Sequence, residues 1–201
     1  MSSLKSAFGH IDIYLFDQLL KGRLTPDMRV LDAGCGRGRN LVYLLQNDFE
    51  VFGVDSDSGA VRYVQAIAGR LAPGLSPENF TVAEVANLPY EDVFFDFVIS
   101  SAVLHFAKNV IHFNEMVDEM WRVLKPNGVL FARLASNIGI EELVEPIGEG
   151  WCHLPDGSDR FLVSEEMLLV KTEALGGKLL DPIKTTNVQN LRSMTTWVLQ
   201  K

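Results

Sequence analysis

The sequence predicts an α/β protein built on a doubly wound, mostly parallel sheet within one domain spanning 1–201. Three observations predict it. Short apolar runs of strand length alternate with amphipathic helical stripes through most of the 201 residues. The first of these runs leads straight into a glycine loop. A hydrophobic content of 47% supplies one sizeable core, with no internal repeat and no second compositional region.

Residues 8–21 are expected to form an N-terminal helical cap, helical over 10–21. Ile11, Leu15 and Leu19 mark one apolar side and Ile13, Phe16 and Leu20 a second, more than packing on one surface requires. Val30 and Leu31 belong to the first strand, Gly34, Gly36 and Gly38 to its loop, and a helix begins near Gly38 with Leu41, Leu44 and Leu45 facing the core. A second strand over 51–55 ends in Asp55. The helix after it carries Val61, Val64, Ala68 and Leu71 and stops before Pro73 and Gly74. Phe80 to Ala83 form the next apolar run, ended by Glu84, and 94–101 reads as a buried fourth strand. Phe113, Val117, Met120 and Leu124 make a helical stripe that stops at Pro126. Asn127 and Gly128 then turn the chain into a fifth strand over 129–134. The stretch 135–163 is rich in glycine and proline and reads as a lid, a substrate loop or a solvated connection. Ser164, Glu165 and Glu166 have the pattern of a helix N-terminus. Residues 178–186 and 193–200 read as two closing strands in a hairpin.

The chemistry concentrates at the strand ends. Glycines at 34, 36 and 38 let the backbone turn tightly and let a ligand approach without meeting a Cβ. Asp32 stands two residues before the first of them. A carboxylate there repels pyrophosphate but suits a cationic, hydroxyl-rich cofactor, which points to S-adenosylmethionine. Asp55, at the end of the neighbouring strand, can accept hydrogen bonds from ribose hydroxyls, and Glu84 from an adenine amino group. Cys35, Asn40, Ser56, Val85 and Ser101 flank these groups and are assigned to the same cofactor site. Cys35 serves there as a small loop residue, not a nucleophile. Tyr14 either covers the methionine end of the cofactor or packs.

Composition excludes several classes. The formal charge is −8 and the basic residues are scattered, so no cationic surface suited to nucleic acid is expected. Two cysteines, Cys35 and Cys152, and four histidines without ligand spacing suggest a reduced setting and no metal. The non-apolar N-terminus and the lack of a long apolar run point to a cytoplasmic chain with no membrane partner.

From Val30 to Leu130 the chain resembles the class I S-adenosylmethionine-dependent methyltransferases. Val30, Leu31, Asp32, Ala33, Gly34, Cys35, Gly36, Arg37 and Gly38 look like that family's cofactor loop. Val54 and Asp55 are similar to its ribose acid and Glu84 to its adenine-side acid, where Asp is more usual. Phe95 to His105 resemble the fourth strand and its following turn, and Arg122 to Leu130 the next helix, turn and strand. The resemblance implies a seven-stranded Rossmann-like sheet whose last strand is antiparallel. Ser100, Ser101, Ala102 and Val103 stand where adenine-N6 enzymes of the class carry an Asn-Pro-Pro-Tyr type of motif, which argues against a nucleobase substrate. Gly36, Arg37, Gly38, Arg39 and Asn40 resemble the tellurite-resistance and small-molecule subgroup, which implies a small-molecule methyl acceptor.

For an acceptor that must lose a proton, His105 is the candidate base, with a helix-start or packing histidine as the alternative. The acceptor pocket is expected between the N-terminal helix and 135–163, where Trp151, His153 and Arg160 either contact substrate or, for the two polar residues, face water. Two rival functions remain at this level. One is a catalytically silent S-adenosylmethionine-binding domain acting through a protein partner. The other is a nicotinamide-dependent oxidoreductase, whose Gly-x-Gly-x-x-Gly spacing this loop lacks. The sequence leaves oligomeric state open.

Overall fold

The computed structural model describes residues 4–201; the start of the non-apolar N-terminus, Met1, Ser2 and Ser3, lies outside them. Five parallel strands form the frame: β1 (Arg29–Ala33), β2 (Glu50–Asp55), β3 (Phe80–Val82), β4 (Phe95–Ser101) and β5 (Leu124–Ser136). Three C-terminal strands complete the sheet: β9 (Lys178–Leu179), β10 (Lys184–Val188) and β11 (Arg192–Gln200). The order is β10-β11-β5-β4-β1-β2-β3, and β9 also pairs with β11. β11 runs antiparallel to β5, as the resemblance implies, and it forms the expected hairpin with β10. The eighth strand is β9, a two-residue piece beside β10 on the same edge.

Successive residues of a strand face opposite sides of a sheet, and this sorts the core into two layers. Val30, Phe97, Ile99, Val129 and Phe131 face one side with α3 (Val42–Gln46) and α4 (Ser58–Leu71). Leu31, Val98, Leu130 and Trp197 face the other with α5 (Val110–Val123) and α6 (Glu165–Ala174). Both faces of the central strands are therefore apolar, which is why these strands read as continuous apolar runs.

Several boundaries differ from the sequence reading. The N-terminal helix splits into α1 (Leu4–Phe8) and α2 (Ile13–Leu20), because Asp12 caps the second piece through the Tyr14 N–H. Its second apolar side lines a groove shared with α1: Ile13 and Phe16 stand in its wall with Leu4 and Phe8, while Leu20 is exposed. The helix after the glycine loop starts at Val42, four residues beyond Gly38, since residues 39–41 are spent on turns. Leu124 belongs to β5 and not to the α5 stripe. The stretch 135–163 is not irregular. It holds a three-stranded antiparallel sheet of β6 (Glu145–Gly148), β7 (Trp151–His153) and β8 (Asp159–Phe161).

A polar clasp ties the N-terminal region to the C-terminal one. Asp181 accepts hydrogen bonds from Lys21 Nζ (2.9 Å), Gln18 Nε2 (3.0 Å) and Arg23 Nη1 (2.8 Å). Burial acts to raise its carboxyl, but these three donors outweigh burial and hold it at about 2, below its ordinary 3.8. The unfolded chain binds this proton more readily than the folded one, so the clasp stabilises fully above about pH 4 and weakens as pH falls toward 2. Asp181→Asn should cost about 1–2 kcal/mol at neutral pH, given the partial exposure of its cationic partners. The loss should shrink in urea melts repeated near pH 2.5; an equal loss at both pH values would assign it to something other than charge.

Candidate active site

The glycine loop is shaped by the end of β2. The Gly34 and Cys35 N–H groups both donate to the Val54 carbonyl at 2.8 Å, and the Gly36 N–H donates to Asp55 Oδ2 at 2.8 Å. These bonds need a left-handed backbone at Gly34 (φ 83°) and Gly36 (φ 51°), which glycine adopts without strain. A Cβ at Gly34 would stand 2.4 Å from Val103, whereas one at Gly36 would meet no protein atom within 4 Å. Gly36 therefore faces open space.

That space is a cavity of about 570 Å3 at the carboxyl ends of β1, β2 and β4, within the size range of cofactor pockets and where the strand order reverses. Its wall brings together most of the residues assigned to a cofactor: Gly34, Cys35, Gly36, Asn40, Asp55, Ser56, Glu84, Val85 and Ser101. Asp55 Oδ1 accepts the Asp57 N–H at 2.9 Å, so each of its oxygens keeps one lone pair for a further donor. Gly38 packs beneath, against Val64. Burial and the nearby Asp32 and Asp55 charges push the Cys35 thiol up, so it stays protonated. The sequence reading missed Phe106, Lys108, His112 and Met116 on the same wall; nothing in the spacing of these residues announces that the start of α5 folds over the site.

Asp32 lies at the end of β1, buried and off the wall. Burial raises its carboxyl to about 7, opposed in part by Arg39. Neither of its oxygens accepts a hydrogen bond from a described residue, so its acceptor capacity is unspent.

A second buried carboxylate, Asp12, organises the other end of the cavity, and no sequence signal beyond its position before α2 marked it. Its Oδ2 accepts from Arg133 Nη1 (3.0 Å) and the Ser101 hydroxyl (3.2 Å), with Arg39 Nη2 at 3.5 Å. Arg39 also donates to Ser101 Oγ at 2.7 Å, and the Asp12 N–H donates to Asn40 Oδ1 at 3.0 Å. Next to this network Ala102 takes a left-handed conformation (φ 64°), a strain of roughly 1 kcal/mol for a residue with a Cβ. Its N–H is fixed by the Arg133 carbonyl at 2.7 Å.

The residues assigned to catalysis and acceptor binding separate. His105 is off the cofactor cavity wall, buried, with Nδ1 accepting the Ala135 N–H at 3.3 Å. Burial, aided by Arg160, pushes it down to about 4. It is neutral at pH 7 with its hydrogen on Nε2, a donor and not the proton acceptor expected of a base. Tyr14 does not reach the cavity wall either; its hydroxyl pairs with Thr186 Oγ1 at 2.6 Å on β10. Trp151 packs against the core and donates Nε1–H to the Lys108 carbonyl at 3.1 Å. His153 pairs with Asp159 at 2.7 Å in solvent, which raises its pKa. Arg160 lines a second cavity, which also receives His105. Its walls come from the ends of β4 and β5, the 154–160 segment and the β10–β11 hairpin, so the hairpin takes the place expected of the N-terminal helix.

The family described as methyltransferase domain matches residues 31–132. The chain is 34% identical over 123 residues to the uncharacterized methyltransferase YodH of Bacillus subtilis, covering 61% of this chain and 47% of that one. The curated relatives it matches are longer, and it spans less than half of each of the first of them. Among solved structures, it is similar to a SAM-dependent methyltransferase of Methanosarcina mazei, with TM-score 0.73 and 22% identity over 91% of this chain and 96% of that one. It is also similar to the Burkholderia thailandensis 1,6-didemethyltoxoflavin-N1-methyltransferase solved with its acceptor and S-adenosylhomocysteine. There the TM-score is 0.65 and the identity 19%, over 93% of this chain and 75% of that one.

The histidines give a direct check on the site's electrostatics. In an NMR titration His105 should remain neutral to below about pH 5, while His153 should gain its proton above the ordinary value of 6.5. A His105 that titrates near 6.5 would restore it as a candidate base.

Proposed function

Because this chain belongs to the methyltransferase domain family, that of the class I S-adenosylmethionine-dependent methyltransferases, we propose that it transfers the methyl group of that cofactor to a small-molecule acceptor. The observation that carries the reading is the clasped glycine loop opening onto a cavity that also presents Asp55 and Glu84. The Burkholderia protein, by its name, methylates a small molecule.

The residues fit the cofactor. Asp55, with a free lone pair on each oxygen, is placed to take ribose hydroxyls, and exposed Glu84 to take the adenine side. Asp32, off the wall and with neither oxygen hydrogen-bonded, would be held ionised by a cationic group brought near it. Ser56, Val85, Asn40 and Ser101 complete the wall. Bound there, S-adenosylmethionine supplies a methyl carbon already activated by a positively charged sulfur. The protein's part is placement: to hold an acceptor atom in line with that carbon at roughly 3–3.5 Å and to keep water out. His105, protonated on Nε2, can orient an acceptor but not deprotonate it, so the reading favours an acceptor whose nucleophile carries a lone pair at neutral pH.

Calorimetry tests the cofactor. S-adenosylmethionine and S-adenosylhomocysteine should bind, and NAD should not; NAD binding without a response to S-adenosylmethionine would overturn the reading. Asp55→Ala should weaken S-adenosylhomocysteine binding by about 1.5–3 kcal/mol, since it removes a charged acceptor and frees the Gly36 amide together. An unchanged affinity would remove Asp55 from the site. Gly36→Val puts a β-branched side chain at positive φ and into the cavity, so it should abolish cofactor binding while circular dichroism still shows a folded sheet.

A further inference from the structure

The cofactor cavity meets the second cavity at Arg39 and Ala102, which stand in both walls. This second space has a volume of about 310 Å3. Its wall gathers Arg39, Arg133, Arg160 and Arg192 from four separate parts of the chain, although the chain as a whole carries a net charge of −8. Such a concentration runs against the average surface and has to be accounted for locally.

Two of the four are already balanced. Arg39 and Arg133 share the buried Asp12 carboxylate, which holds them at the junction between the cavities. Arg160 and Arg192 differ. Among the described residues neither lies within ion-pair distance of a carboxylate; Arg160 gives one Nη1 hydrogen to the Asp159 carbonyl and rests 5.5 Å from the Phe106 ring. The one acid on the wall, Asp156, accepts the Ser158 hydroxyl at 2.6 Å and the Ser158 N–H at 3.0 Å, and the charges of Arg192 and Arg160, beyond ion-pair distance, help hold its carboxyl below the ordinary value, so one acid faces four cations. His105 adds a further donor, since its acceptor nitrogen is taken by Ala135. The remaining wall is apolar, with Leu154, Val188 and Met194. The cavity thus offers donors and positive charge, with room for a compact organic body.

We propose that this second cavity is the acceptor chamber and that it selects a small molecule bearing an anionic oxygen group, a carboxylate or a phosphate, seated on Arg160 and Arg192. The assignment rests on reading the adjoining cavity as the cofactor site, which puts the acceptor beside the methyl donor. Planar guanidinium groups match both anions in a bidentate manner. A neutral analogue entering the chamber would strip water from two cations without replacing it, and a cationic one would be repelled.

The test compares benzoate, phenyl phosphate and benzamide by calorimetry, on the protein alone and on the protein loaded with S-adenosylhomocysteine. At least one anion should bind about tenfold or more tightly than benzamide. The tighter of the two anions identifies the group. In the double variant Arg160→Gln, Arg192→Gln that gap should fall to within about threefold, with S-adenosylhomocysteine affinity within about twofold of the parent protein. Arg62→Gln, on the outer face of α4, should change neither affinity. Equal binding of the three probes, tighter benzamide, no binding of any probe, or an anion preference that survives the double variant would each overturn the proposal. Failure of S-adenosylhomocysteine to bind would instead overturn the cofactor reading, while the titrations of the unloaded protein still decide the chamber.

Discussion

Three amide hydrogens, those of Gly34, Cys35 and Gly36, are held by two adjacent residues at the end of β2, Val54 through its carbonyl and Asp55 through its carboxylate. A loop of glycines left free would sample many conformations and lose much entropy on meeting a ligand. Here that ordering is accomplished during folding, because the β1–β2 register brings Ala33 opposite Val54 and so delivers the loop to its acceptors. The same bonds orient Asp55, whose remaining lone pairs then point at the cavity from a fixed position. Sheet register, loop shape and the carboxylate facing the ligand are one construction, and the packing of Gly38 on Val64 closes it from below.

Asp12 does for charge what β2 does for the backbone. A carboxylate with no side-chain exposure costs several kcal/mol unless it is compensated, and its compensation comes from Arg133 on β5, Arg39 after the loop and Ser101 at the end of β4. It also caps α2, so the N-terminal segment is fixed to the sheet by the same group. The neighbouring left-handed Ala102 is stabilised by the β5 backbone, so the wall between the two cavities is held from three directions. The Arg39–Ser101 bond and the bonds of Arg133 and Ser101 to Asp12 fix the side chains at that boundary.

What the sequence disclosed follows from burial on two faces. β1, β2, β4 and β5 were legible because both sides of these strands are covered, leaving unbroken apolar runs, and α4 and α5 because each shows one stripe. Most residues of the first cavity's wall were legible because the loop and the strand-end acids lie close to those runs in sequence. The β6–β8 sheet was not: every residue of β6 is exposed, so its strands carry no apolar alternation to read. Neither was the behaviour of His105 and Tyr14, whose surroundings are set by Ala135 and Thr186, residues far along the chain. The four arginines of the second cavity were equally hidden, since only the tertiary fold brings positions 39, 133, 160 and 192 to one surface.

The β6–β8 sheet leaves and rejoins the fold through neighbouring backbone: Ser136 pairs with Val163, and the Asn137 N–H donates to the Val163 carbonyl at 3.0 Å. Because its two roots touch, lengthening the segment adds only the slow logarithmic cost of a larger closed loop, while Phe161 and Trp151 anchor it to the core. Lengthening or shortening it would alter the side of the second cavity contributed by Asp156, Ser158 and Arg160 without touching the glycine loop, whose acceptors lie on β2. Such an arrangement separates the wall of the second cavity from the frame that shapes the first.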